Sequence, residues 1–96
     1  MAGILGIASL KKTNKSGNST VDTPLNLGYI EGAFVQIRYE YGKQADLYFI
    51  TSNKTVYRLC GNLSTGLSAS INDNGELIVT NILGGSYWLS VDILKF

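Results

Sequence analysis

Residues 34–41 read FVQIRYEY, with Val35, Ile37, Tyr39 and Tyr41 on one side and Gln36, Arg38 and Glu40 on the other. Side chains alternate faces only in an extended backbone, so this spacing predicts a strand with one buried face. Nowhere does the chain sustain the 3.6-residue period of an amphipathic helix. Turn signals punctuate the rest. Gly42-Lys43-Gln44 leads into residues 47–51 (LYFIT), and Ser52-Asn53-Lys54 leads into 55–59 (TVYRL). Leu67, Ala69 and Ile71 alternate with Ser68, Ser70 and Asn72. Asn72-Asp73-Asn74-Gly75 supplies residues that tolerate positive φ, and residues 76–82 and 87–94 follow, separated by Gly84-Gly85. With residues 25–30 these make about seven short strands at the spacing of a sandwich. The expected fold is all-β, a small antiparallel β-sandwich with an extended N-terminal arm.

The arm is read from a change in composition. Residues 11–23 (KKTNKSGNSTVDT) hold one strong hydrophobe, Val21, and are closed by Pro24, which predicts a linker. Before it lies an apolar patch of Ile4, Leu5, Ile7 and Leu10. Residues 1–24 are therefore expected to be an anchoring arm and linker, and residues 25–96 the β-sandwich domain. Lys11 and Lys12 follow the apolar stretch, whereas a secretory signal carries its positive charge in front. Ten helical residues would cover about 15 Å, half of a bilayer's hydrocarbon core. Synthesis in a cytoplasm, without membrane insertion, is the expectation.

Composition narrows the chemistry. The chain of 96 residues has a formal net charge of +1, one cysteine (Cys60) and no histidine. A near-neutral chain lacks the electrostatic footprint of a nucleic-acid binder. Without histidine, the commonest general base and metal ligand are missing, and one cysteine cannot build a thiolate zinc site. The plentiful serines and threonines have no histidine to activate them. The seven carboxylates, Asp22, Glu31, Glu40, Asp46, Asp73, Glu76 and Asp92, mostly flank turns and read as solvated edges. Asn72-Asp73-Asn74-Gly75-Glu76 lacks the bidentate Glu of a calcium loop, Asn81 standing in its place. A non-enzymatic protein with no cofactor, no metal and no catalytic residue is expected.

The aromatic residues are more informative. Six Tyr, three Phe and one Trp include neighbours that an extended strand must send to opposite faces, Tyr48 against Phe49 and Tyr87 against Trp88. A sandwich strand has one inward face, so surplus rings point outward or into a subunit interface. Tyr48, Tyr57 and Trp88 are the candidate ligand or interface rings. A sugar-stacking site built on Trp88 or Tyr48 beside Asn and Asp donors remains open beside the interface reading.

The stretch from Asn74 to Val91 carries Gly75, Leu77, Val79, Asn81, Ile82, Gly85, Tyr87, Leu89 and Val91 in a fixed spacing. It resembles the G-x-[FL]-x-[IV]-x-N-[LI]-x-x-G-x-Y-x-L-x-V run of carboxypeptidase-regulatory-like and Cna-B-type domains. Gly32-Ala33-Phe34-Val35-Gln36-Ile37 is similar to an upstream strand of the same families. A proline common before the second glycine of that run is absent. The resemblance implies an immunoglobulin-like or prealbumin-like sandwich acting as a spacer, adhesion or decoration module. Such modules occur on secreted surface proteins and on bacteriophage capsids, tails and fibres. The functional expectation is a virion structural accessory protein (capsid decoration, cement or fibre component) made in the host cytoplasm. It would be anchored to other virion proteins by Ile4, Leu5, Ile7 and Leu10, and homo-oligomeric, a trimer being favoured. A carbohydrate- or receptor-binding adhesion module that recognises a host surface glycan is the alternative.

Overall fold

The computed structural model of the protein describes residues 11–95. They form nine strands: β1 (Lys11–Asn14), β2 (Gly17–Thr20), β3 (Leu25–Gly28), β4 (Ala33–Tyr39), β5 (Gln44–Ile50), β6 (Val56–Gly61), β7 (Leu67–Ile71), β8 (Leu77–Asn81) and β9 (Ser86–Lys95). All pairings are antiparallel. One sheet runs β1-β9-β4-β5-β6, with β2 also on β9, and the other runs β3-β8-β7. The fold is all-β, two antiparallel sheets packed as a small sandwich.

The alternating pattern decides which side of each strand is buried. In β4 Ala33, Val35 and Ile37 are buried, in β9 Leu89, Val91 and Ile93, and in β8 Leu77 and Val79. With Leu27, Ile50 and Leu67 they form one core between the sheets. Complete burial of an aliphatic side chain contributes roughly 1.5–3 kcal/mol, so these positions carry most of the favourable free energy of folding. The β7–β8 hairpin turns where the sequence indicates. Asn72 Oδ1 accepts from the Asn74 and Glu76 amides, and Gly75 takes φ 82°, a conformation open to glycine.

Seven of the nine strands lie where the alternation places them; the other two lie in the stretch expected to be a linker. β1 and β2 follow one another along the same edge of β9, Lys11 pairing with Lys95 and Gly17 with Leu89. Between them the Lys15 N–H donates to the Val91 carbonyl at 2.9 Å, and Ser16 Oγ accepts from the Val91 N–H at 3.1 Å. Backbone pairing holds these segments, and backbone pairing leaves no hydrophobic signature. Ser19 is completely buried, its hydroxyl donating to the Val79 carbonyl at 2.8 Å. Asn81 Nδ2 returns a 2.8 Å bond to the Ser19 carbonyl, so β2 joins the large sheet to the small one. Another departure concerns Tyr41, expected on the inward face with Tyr39. β4 ends at Tyr39, and Tyr41 sits in the following turn, 84% exposed.

Candidate interaction surface

The densest polar cluster lies at the β5–β6 end of the core. Strand alternation turns Asp46 and Tyr48 of β5 inward with Ile50. Asp46 Oδ2 accepts from the Tyr48 hydroxyl at 2.7 Å and from Arg58 Nε at 2.9 Å. Its Oδ1 accepts from Arg58 Nη2 at 3.1 Å and from the Leu63 N–H at 2.9 Å. Arg58 Nη2 also donates to the Gly61 carbonyl at 2.7 Å. A buried carboxylate holding four donors has its hydrogen-bonding capacity filled. Gly61 makes the approach practicable. It adopts φ 140°, and a Cβ there would fall on the Asp46 carboxylate.

Burial alone would push the Asp46 carboxyl upward. The hydrogen bonds from Arg58, Leu63 and Tyr48 and the nearby guanidinium charge outweigh it and leave the group below its ordinary value. Tyr48 moves the other way. Burial first, then its bond to the Asp46 carboxylate and that group's charge, raise the hydroxyl well above the usual tyrosine range. Ionised Asp46 and neutral Tyr48 thus hold each other in place, which is the arrangement of a structural clasp.

This clasp floors a groove. A cavity of about 430 Å³ between β6 and β7 is lined by Tyr48, Val56, Arg58, Ala69, Ile71 and Lys54 among others. A second hollow of about 260 Å³ continues it along β7 past Leu67 and shares Tyr48 and Arg58 as walls. Lys54 stands over the Tyr29 ring at 5.1 Å, with no carboxylate within ion-pair distance among the described residues.

The outward side of the large sheet carries a row of apolar side chains. Strand register places Leu94 beside Phe34, Phe34 beside Phe49, and Phe49 beside Tyr57. The Phe34 and Phe49 rings meet at 5.0 Å between centroids, tilted by 53°. The row ends at the β6 edge, where Tyr57 (54% exposed) and Leu59 reach solvent. Beside this row Arg38 bonds Asp92 at 2.9 Å, and Asn14 reaches the same carboxylate.

The candidate rings are thereby sorted. Tyr57 and Trp88 (51% exposed) are on the surface, but on strands at opposite sides of β4 and β5. Trp88 is opposite Asn18 on β2, well away from the Phe34–Tyr57 row. Tyr48 departs from expectation: it is 3% exposed, its hydroxyl bonded to Asp46, so its ring face offers nothing for a sugar to stack on. Asp46 departs too, since it is buried and shared among donors instead of lying at a solvated edge. Ile4, Leu5, Ile7 and Leu10 lie outside the described residues. The signal for the clasp was present in the alternation itself, because Asp46, Tyr48 and Ile50 share a face by period two.

No family model, curated protein or solved structure matches this chain.

Proposed function

We propose that this chain is a non-catalytic structural accessory component of a larger assembly, held in it by surface side chains and by residues 1–10. A virion, with the chain as decoration, cement or fibre component, is the assembly that the sequence resemblance suggests. The observation that carries the reading is a division of labour among side chains. The polar groups best placed for chemistry, Asp46, Tyr48 and Arg58, are consumed in holding β5 to β6 and to the loop at Leu63. Large apolar side chains are left outside: Tyr29, Tyr57, Leu59, Ile82 and Trp88 all stand more than half exposed. A domain this small gains from having such groups covered by neighbours.

The anchoring experiment takes its boundary from the fold. Because β1 and β2 belong to the sandwich, a deletion should stop at Leu10 and spare Lys11. Particles from cells producing the chain are banded on a density gradient. The full chain is expected in the particle band, and the chain lacking residues 1–10 at the top of the gradient. Both chains at the top would overturn the reading.

An adhesion role is the second reading, and Trp88 favours it. Its exposed ring beside the Asn18 amide is a pairing suited to sugar stacking. A glycan array probed with the full chain and with Trp88→Ala tests it. Binding lost in the variant supports it, and binding equal in both removes the site.

A further inference from the structure

We propose that the groove along β7 receives an extended segment from a second copy of this chain, its residues 4–10, as an added strand of the small sheet. This deepens the assembly reading above by naming a partner and the surface it meets.

The edges of the two sheets differ in how they are protected. β1 carries Lys11 and Lys12. β3 follows Pro24 and has a register break between Asn26 and Gly28. β6 has a register break opposite Leu47 and Tyr48, and it carries Arg58. Lysines, prolines and bulges are the usual means of stopping a strand from recruiting another. β7 has none of them: its five residues, LSASI, pair with β8 in unbroken register from Leu67–Asn81 to Ile71–Leu77.

The ladder also shows which backbone groups β7 leaves over. The Asn72 N–H bonds the Glu76 carbonyl, and the Ile82 N–H bonds the Gly66 carbonyl. Alternate residue pairs are bonded in an antiparallel ladder, so residues 68 and 70 face β8, while 67, 69 and 71 turn their backbone groups to the groove. The Leu67 N–H is taken by the Ser64 carbonyl, and the Ala69 N–H is turned to the Tyr48 hydroxyl. The Ala69 carbonyl and the Ile71 N–H and carbonyl remain for an incoming strand. Val56, Ala69 and Ile71 form the apolar part of the wall beside them, suited to small and aliphatic side chains, while Lys54, Arg58 and two serines line the rest.

The length and chemistry of residues 1–10 select the occupant. Residues 4–10 (ILGIASL) are uncharged, include two β-branched isoleucines, and are long enough to match the five residues of β7. The same copy's segment would fall short. Lys11 is on β1, four strand positions from β6. At about 4.8 Å per strand and about 10 Å between sheets, the path uses some 29 Å, or about nine residues. A segment entering from a neighbouring copy spends none of its length on that crossing. This is strand addition at a sheet edge, in which backbone pairing gives affinity and alternate pockets give selectivity.

The test uses the full chain, ¹⁵N-labelled and dilute, titrated with a synthetic peptide of residues 1–12 (MAGILGIASLKK). The amide signals of Ala69, Ile71 and Val56 are expected to shift. Ile71→Pro removes an N–H that takes no part in the β7–β8 ladder, and it should weaken peptide binding at least tenfold. Should that variant not fold, Ala69→Arg, which fills the groove, is expected to give the same loss. Saturation by the peptide without movement at Ala69 and Ile71 overturns the proposal, as does equal binding of a scrambled peptide. Because the peptide is added in solution, such a failure leaves the particle-band experiment, and the reading it tests, standing.

Discussion

Arg58 grips Asp46 with two prongs, Nε to Oδ2 at 2.9 Å and Nη2 to Oδ1 at 3.1 Å, while Tyr48 and the Leu63 amide occupy the remaining positions on the carboxylate. The guanidinium is half in solvent and the carboxylate is buried, so the pair closes the sandwich end from outside. Removing the buried partner is the costly change. Asp46→Ala takes the acceptor from both the Leu63 N–H and the Tyr48 O–H in the core and should cost about 3 kcal/mol in urea unfolding. Arg58→Met leaves the carboxylate its other two donors, so its midpoint should drop by clearly less.

The same pair makes stability depend on pH at both extremes. Asp46 is depressed in the folded chain, so its contribution is complete above the ordinary carboxylate value of about 4 and is lost as pH falls through the folded one. Tyr48 is raised, so its contribution is complete below the ordinary tyrosine value of about 10 and is lost as pH climbs towards the folded one. The thermal midpoint should be level between about pH 5 and 9 as far as these two groups control it. Asp46→Asn should flatten the acid limb, and Tyr48→Phe the alkaline one. Unchanged limbs in both variants would contradict the clasp.

Gly61 tests the clasp from the backbone. Its φ of 140° is strained for any other residue, and the Asp46 carboxylate occupies the space of a Cβ. Gly61→Ala should destabilise by 2 kcal/mol or more in roughly the manner of other incompatible backbone positions. Gly84→Ala shares the positive φ but meets nothing within 4 Å, and should cost less.

Ser19 and Asn81 carry the prediction about the N-terminal strands. Asn81→Leu leaves the Ser19 and Gly85 carbonyls without their donor and should cost about 2 kcal/mol. Ser19→Ala, which removes one hydroxyl donor to Val79, should cost about 1 kcal/mol. Amide exchange at Ser19 and Thr20 should be slow in the native chain. Rapid exchange across residues 11–20 would return the segment to a linker.

The sandwich was legible in the sequence because its core strands obey period two, from Val35 and Ile37 to Leu89 and Val91. The turn at Asn72–Gly75 was legible through residues that accept its backbone geometry. β1 and β2 were not. All four side chains of β1 are exposed, and β2 is anchored by a buried serine hydroxyl, so hydrophobic periodicity had nothing to register. Asp46 was hidden by a general expectation about charge. Its alternation with Tyr48 and Ile50 pointed inward, but its partner Arg58 is twelve residues away across a turn, and no short motif joins them. Which rings are exposed depended on such contacts as well. Tyr48 is drawn in by Asp46, while Trp88 is turned out by the alternation that buries Leu89.

Light scattering on the full chain across a concentration series tests the self-assembly at the centre of this account most directly, that copies of this chain are joined to one another through residues 1–10. The expected result is a mass above the 10.4 kDa of one chain that returns to the single-chain value when residues 1–10 are removed. A mass of one chain at every concentration, or an oligomer that persists unchanged without those residues, would contradict it.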